Sequence, residues 1–117
     1  MCAAAALLTA LLGCEESPFN TVCTEEARPG LLVSVRDSVS GAAVSEARVI
    51  ARTGTTADTS SGAFNGLYPL AYEKAGIYQV VVEHTGYRTW TRANVHVTRD
   101  ECHVQTVSLT ALLQRQP

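Results

Sequence analysis

The first fourteen residues of this 117-residue chain carry no charged side chain, and the whole chain holds one Met, one Trp and one Lys. It also lacks any long apolar run. The longest, Ala3 to Leu12, is ten residues broken only by Thr9, half of the roughly 20 that a helix needs to cross a bilayer. No basic cluster occurs and the net charge is −2, which excludes the clustered positive surface of a nucleic-acid-binding protein and a polybasic patch for anionic headgroups. There is no Gly-x-Ser-x-Gly elbow, no Gly-rich phosphate loop, and no His-x-His or Glu-x-x-His spacing. Those absences remove the common local signatures of nucleophilic hydrolysis, nucleotide binding and zinc ligation. Paired acids do occur, as Glu15-Glu16 and Glu25-Glu26, but in a polar stretch that reads as a tether.

What is present is alternation. Leu31, Val33 and Val35 share one face of a strand, as do Val49 and Ala51 of a second, and Tyr78, Val80 and Val82 of the clearest one. Ser40-Gly41, Lys74-Ala75-Gly76, Thr85-Gly86 and Arg99-Asp100 mark turns. Residues 53–62 read as a loop or weak edge strand. Residues 63–73, interrupted by Pro69, read as two short strands or one bent edge strand. A last strand is expected from Cys102 to about Leu112, where a change of hydrophobic parity suggests a bulge near Gln105-Thr106 or burial on both sides. About seven short strands with regular turns and no amphipathic helix predict a single all-β antiparallel β-sandwich of Ig-like architecture.

The end of the apolar run, Leu11-Leu12-Gly13-Cys14, resembles the lipobox of bacterial lipoproteins. The resemblance implies a signal peptide over 1–13, cleavage after Gly13, and acylation of Cys14, with more than one acyl chain because one anchors only marginally. Met1-Cys2 departs from the family's usual basic start. The competing reading is a buried N-terminal helix with Cys14 in a core; the polar and turn-forming residues directly after Cys14 favour the lipobox. If Cys2 leaves with the leader and Cys14 carries lipid, Cys23 and Cys102 remain. They are expected to form a disulfide in an oxidising compartment, the alternatives being two free thiols or a metal pair. Glu15, rather than an Asp, follows the lipid site and points to an outer membrane, facing the periplasm. The organisation is then leader 1–13, lipidated tether 14–29, sandwich 30–113 and tail 114–117.

Val35-x-Asp37 with Gly41-Ala42-Ala43-Val44 and Ala47-x-Val49, the Asp58-to-Phe64 turn, and Gly76-x-Tyr78-x-Val80-x-Val82 followed by Gly86-Tyr87 resemble the carboxypeptidase regulatory-like domain. That resemblance, over about residues 30 to 90, implies a transthyretin (prealbumin)-like sandwich without catalytic or zinc-binding residues of its own. No enzyme activity, cofactor or metal is expected, and the partners expected are a membrane, through the lipid, and a protein or glycan, with no nucleic acid.

One surface motif stands out. Arg88, Trp90 and Arg92 alternate, and if Tyr87 points inward they share an outer face that could anchor a protein or stack on a sugar. Tyr68 and Tyr72 would extend such a carbohydrate platform. The plainer reading has Trp90 capping the core at a sheet edge under arginine stems. His84, at the end of the clearest strand, and His96 and His103, each beside a Val, are expected on solvent faces; Asp37, Asp58 and Asp100 are expected to cap turns.

Overall fold

The computed structural model describes residues 22–61 and 64–117. The expected signal peptide over 1–13, Cys14 and the first half of the expected tether, to residue 21, lie outside the described residues. Seven strands follow in order: β1 (Pro29–Asp37), β2 (Arg48–Thr53), β3 (Thr56–Ser60), β4 (Leu67–Tyr72), β5 (Gly76–Glu83), β6 (Trp90–Val97) and β7 (Val107–Leu113). They form a three-stranded sheet ordered β4-β1-β7 and a four-stranded sheet ordered β3-β2-β5-β6. The all-β sandwich read from the alternation is the observed fold. One pairing departs from the antiparallel expectation: β1 and β7 run parallel, from Leu31 opposite Val107 to Asp37 opposite Leu113.

Alternation fills the space between the sheets. Leu31, Val33 and Val35 of β1 meet Val49, Ala51, Tyr78, Val80 and Val82 from the other sheet, joined by Leu109, Ala111 and Leu113 of β7, all buried. Each such aliphatic side chain contributes roughly 1.5–3 kcal/mol by leaving water. Pro69 sits in β4, which among the described residues pairs only with β1, so its missing N–H costs no interior ladder bond.

Tyr68 is fully buried, contrary to its expected place on a surface platform. Its hydroxyl donates to the Val44 carbonyl at 2.8 Å and accepts the Ala47 N–H at 2.9 Å. It thereby holds the β1–β2 crossover against the core, and desolvation raises its pKa. The start of β4 can approach β1 this closely because Gly66 has φ +74 and a Cβ there would lie 2.9 Å from the Val35 carbonyl oxygen.

The parity change in the last segment has a different origin from the expected bulge. Residues 101–103 form a bend and Val104 bridges Arg99, so β7 begins only at Val107. A real bulge lies in β6 instead. Tyr78 pairs with Val95 but Val80 pairs with Arg92, so β6 carries one extra residue, accommodated by Asn94 at φ 59.

Tyr68→Phe keeps the ring and removes both hydrogen bonds. It is expected to lower unfolding free energy by about 1–3 kcal/mol, read as a lower urea midpoint at unchanged slope.

Candidate functional site

Asp37 ends β1 and is almost fully buried. Its Oδ1 accepts the Val39 and Ser40 N–H groups at 2.8 and 2.9 Å. Its Oδ2 accepts the Tyr87 hydroxyl at 2.7 Å and the Arg115 Nε at 2.9 Å. The Ser40 amide first, then the Tyr87 hydroxyl and the Val39 amide, hold this carboxyl far below the ordinary carboxylate range, with Arg115 adding its charge. Tyr87 is correspondingly raised, mainly by its bond to Asp37. Sequence reading placed Asp37 at a turn but missed its two distant partners. Arg115 lies 78 residues away, in a segment assigned to a tail, and no local pattern links the pair.

The supposed tail is part of the fold. Tyr87 bridges Arg115, the Arg88 N–H donates to the Gln114 carbonyl at 2.8 Å, and the Gln116 N–H donates to the Gly86 carbonyl at 2.9 Å. Beside this junction a cleft of about 320 Å³ is lined by Ser40, Ser45, His84, Tyr87 and Arg115, among others. All four donors to Asp37 come from the protein, so this carboxylate holds structure and is no free general base. His84 is half-buried and edge-on to Tyr87, with ring centroids 5.4 Å apart.

The opposite end of the sandwich carries the staple. Cys23 and Cys102 form a disulfide with Cα atoms 5.2 Å apart, pinning the lead-in to the body. His103, expected on a solvent face, is buried beneath that lead-in. One ring nitrogen, Nδ1, lies 2.6 Å from Glu73 Oε2, and Nε2 lies 2.9 Å from Thr24 Oγ1. Glu73 also accepts the Arg28 and Val104 N–H groups. Its pKa is lowered, chiefly by the His103 hydrogen bond. Asp100 caps its own turn by accepting the Cys102 and His103 amides, as expected for Asp at such a position. Asp58, also expected to cap a turn, lies within β3 and accepts the Ala71 N–H of β4 at 2.7 Å, bridging one edge of the sandwich. Among the described residues, no group of three or more His, Cys, Asp and Glu could hold a metal ion.

The aromatic platform does not assemble. Trp90 pairs with buried Val82 and packs against the core cluster, so it faces inward at the edge of the four-stranded sheet. The β6 bulge shifts side-chain parity, which puts Trp90 and Arg92 on the inner side rather than the expected outer one. The Arg92 guanidinium lies over the Trp90 ring, 5.2 Å from its centroid, and occupies a face that a sugar would need. Tyr68 is buried, and Tyr72 is half-exposed on β4 of the other sheet. Arg88 is exposed and lines a cleft of about 270 Å³ with Thr89, Trp90, Leu112 and Gln114.

A family model for the carboxypeptidase regulatory-like domain matches residues 30–110. The chain belongs to that family. The domain that defines this family is non-catalytic. A search of curated proteins finds no match to the chain.

In this regulatory-like domain, acid should act first on its bonded carboxylates. Asp37, Glu73 and Asp100 all have folded pKa values below their ordinary ones. Their stabilisation is therefore fully present above pH values near 4 to 5 and is lost as pH falls towards the depressed folded values. Asp37→Asn removes the largest of these contributions. Melting temperatures from pH 7 down to pH 2 should fall less steeply below pH 4 in the variant, from a lower neutral-pH starting point.

Proposed function

We propose that this chain is a non-catalytic interaction module of the cell envelope, exported, acylated at Cys14, and held at the periplasmic face of an outer membrane. The Cys23–Cys102 disulfide carries the reading of export, because such bonds persist in oxidising compartments and are rare in the cytosol. The lipobox-like Leu11-Leu12-Gly13-Cys14 supports the anchor. The family's non-catalytic domain supports an interaction role in place of chemistry.

The staple has a physical consequence for such an anchor. Eight residues lie between Cys14 and Cys23, so the nine steps of the free tether would reach at most about 30 Å when extended. The disulfide would therefore present the sandwich from its Cys102 end and close to the headgroups, leaving the Asp37 end furthest from the membrane. Cys23 and Cys102 are 79 positions apart, and closing that loop contributes about 4 kcal/mol on the chain-entropy model, a large share of the roughly 5–15 kcal/mol that keeps a domain folded.

Mass spectrometry of the mature protein from its own membrane tests the proposal. The expected result is an acylated peptide that begins at Cys14, together with an intact Cys23–Cys102 linkage. An unprocessed Met1 with a free Cys14 would contradict it.

A further inference from the structure

The sandwich has four sheet edges, and three are guarded. β3 is five residues long and carries Asp58, β4 contains Pro69, and β6 is bulged at Asn94 and carries Arg92. Such features discourage pairing with another chain. β7, Val-Ser-Leu-Thr-Ala-Leu-Leu, has seven residues with no charge, proline, glycine or bulge.

Its free side can be read from the hydrogen bonds at its end. The Leu113 carbonyl turns to β1, where it accepts the Ser38 N–H, and the Gln114 carbonyl turns away, to Arg88. Main-chain groups alternate along a strand. Those of Ser108, Thr110 and Leu112 therefore point out of the sheet, on the side where β7 has no strand neighbour among the described residues. Residues 86–88 pair with 114–116, but the chain then diverges into β6 at Trp90 to join the other sheet. The fork left between β6 and β7 is the cleft of about 270 Å³ that contains Trp90, half-exposed Leu112 and Arg88.

The two chain segments that flank this fork carry charge of one sign. Residues 84–99 contain Arg88, Arg92 and Arg99, residues 104–117 contain Arg115, and neither segment contains an Asp or Glu. All eleven acidic residues lie elsewhere in the chain. Two of the arginines have local partners, Arg115 on Asp37 and Arg99 on main-chain carbonyls, which leaves Arg88 and Arg92 beside the cleft.

We propose that the free edge of β7 docks an extended acidic segment of a partner protein as a fourth strand of the three-stranded sheet. Main-chain bonds form to Ser108, Thr110 and Leu112, an apolar side chain enters the Trp90–Leu112 cleft, and carboxylates meet Arg88 and Arg92. A peptide fits where a glycan does not, because the edge offers alternating amide donors and acceptors. A second copy of this chain would bring the same arginines against these, and like charges oppose that pairing. The inference names a partner class for the interaction module proposed above and does not depend on the lipid anchor.

The lone Trp makes the test direct. The folded, disulfide-bonded protein is titrated with a blocked (Val-Glu)4 peptide while Trp90 emission and backbone amide NMR shifts are followed. The expected result is saturable binding that shifts Ser108, Thr110 and Leu112 amides, weakens with salt, and falls at least about tenfold in Arg88→Glu/Arg92→Glu. A (Val-Lys)4 peptide should bind the parent weakly and that charge-reversed variant better. An N-methylated (Val-Glu)4 should lose binding, because it keeps the charge but loses edge donors. No response to (Val-Glu)4 at millimolar concentration would overturn the proposal. So would equal binding of the N-methylated peptide or of oligogalacturonate, which would mark a site for polyanions in general, or concentration-dependent dimerisation through β7 in place of peptide binding. Acylation at Cys14 is read separately by mass, so failure here leaves the anchoring proposal standing.

Discussion

The buried carboxylate of Asp37 is the interaction on which the ends of this sandwich depend. It gathers the β1 turn through Val39 and Ser40, the β5–β6 connection through Tyr87, and the C-terminal segment through Arg115. A buried charge is tolerated only when its lone pairs are met. Asp37 has four donors for two oxygens. Arg115 also lies over the Tyr87 ring, 5.2 Å from its centroid, so the two side chains that reach Asp37 support one another. Because this knot fixes residues 86–88 against 114–116, it sets the point from which β6 and β7 diverge. The cleft beside Trp90 is the geometric result.

The two ends of the sandwich are held by different chemistry. At one end the closure is noncovalent throughout. At the other, the Cys23–Cys102 bond is covalent and is backed by Thr24, His103 and Glu73. An envelope module tethered through its N-terminus would bear tension at the covalent end, and the noncovalent knot would sit at the far end. That division matches the proposed arrangement, in which the lead-in faces the membrane and the β6–β7 fork is free to meet a partner.

Much of the fold was legible in the sequence because burial on one face leaves a two-residue period. Val33 and Val35, Val80 and Val82, and Leu109 and Ala111 all point where alternation puts them. Local parity fails where tertiary contacts override it. Trp90 and Arg92 turn inward because of an extra residue at Asn94, which no strong sequence signal marks. Tyr68 is buried because its hydroxyl finds the Val44 and Ala47 main chain, partners more than twenty residues away. His103 is buried by the lead-in that the disulfide brings over it, and Arg115 is recruited by Asp37 across almost the whole domain. The last three are long-range polar contacts, invisible to a reading of neighbours along the chain.

Asp37 clamps the base of the β6–β7 fork. Native-state hydrogen exchange compared between the parent protein and Asp37→Asn at neutral pH tests it most directly. The account expects the Arg88 and Gln116 amides, which bond across the fork, to lose protection selectively, while the Val80 and Val82 amides in the centre of the other sheet keep theirs relative to global stability. Unchanged protection at Arg88 and Gln116, or a uniform loss throughout the domain, would contradict it.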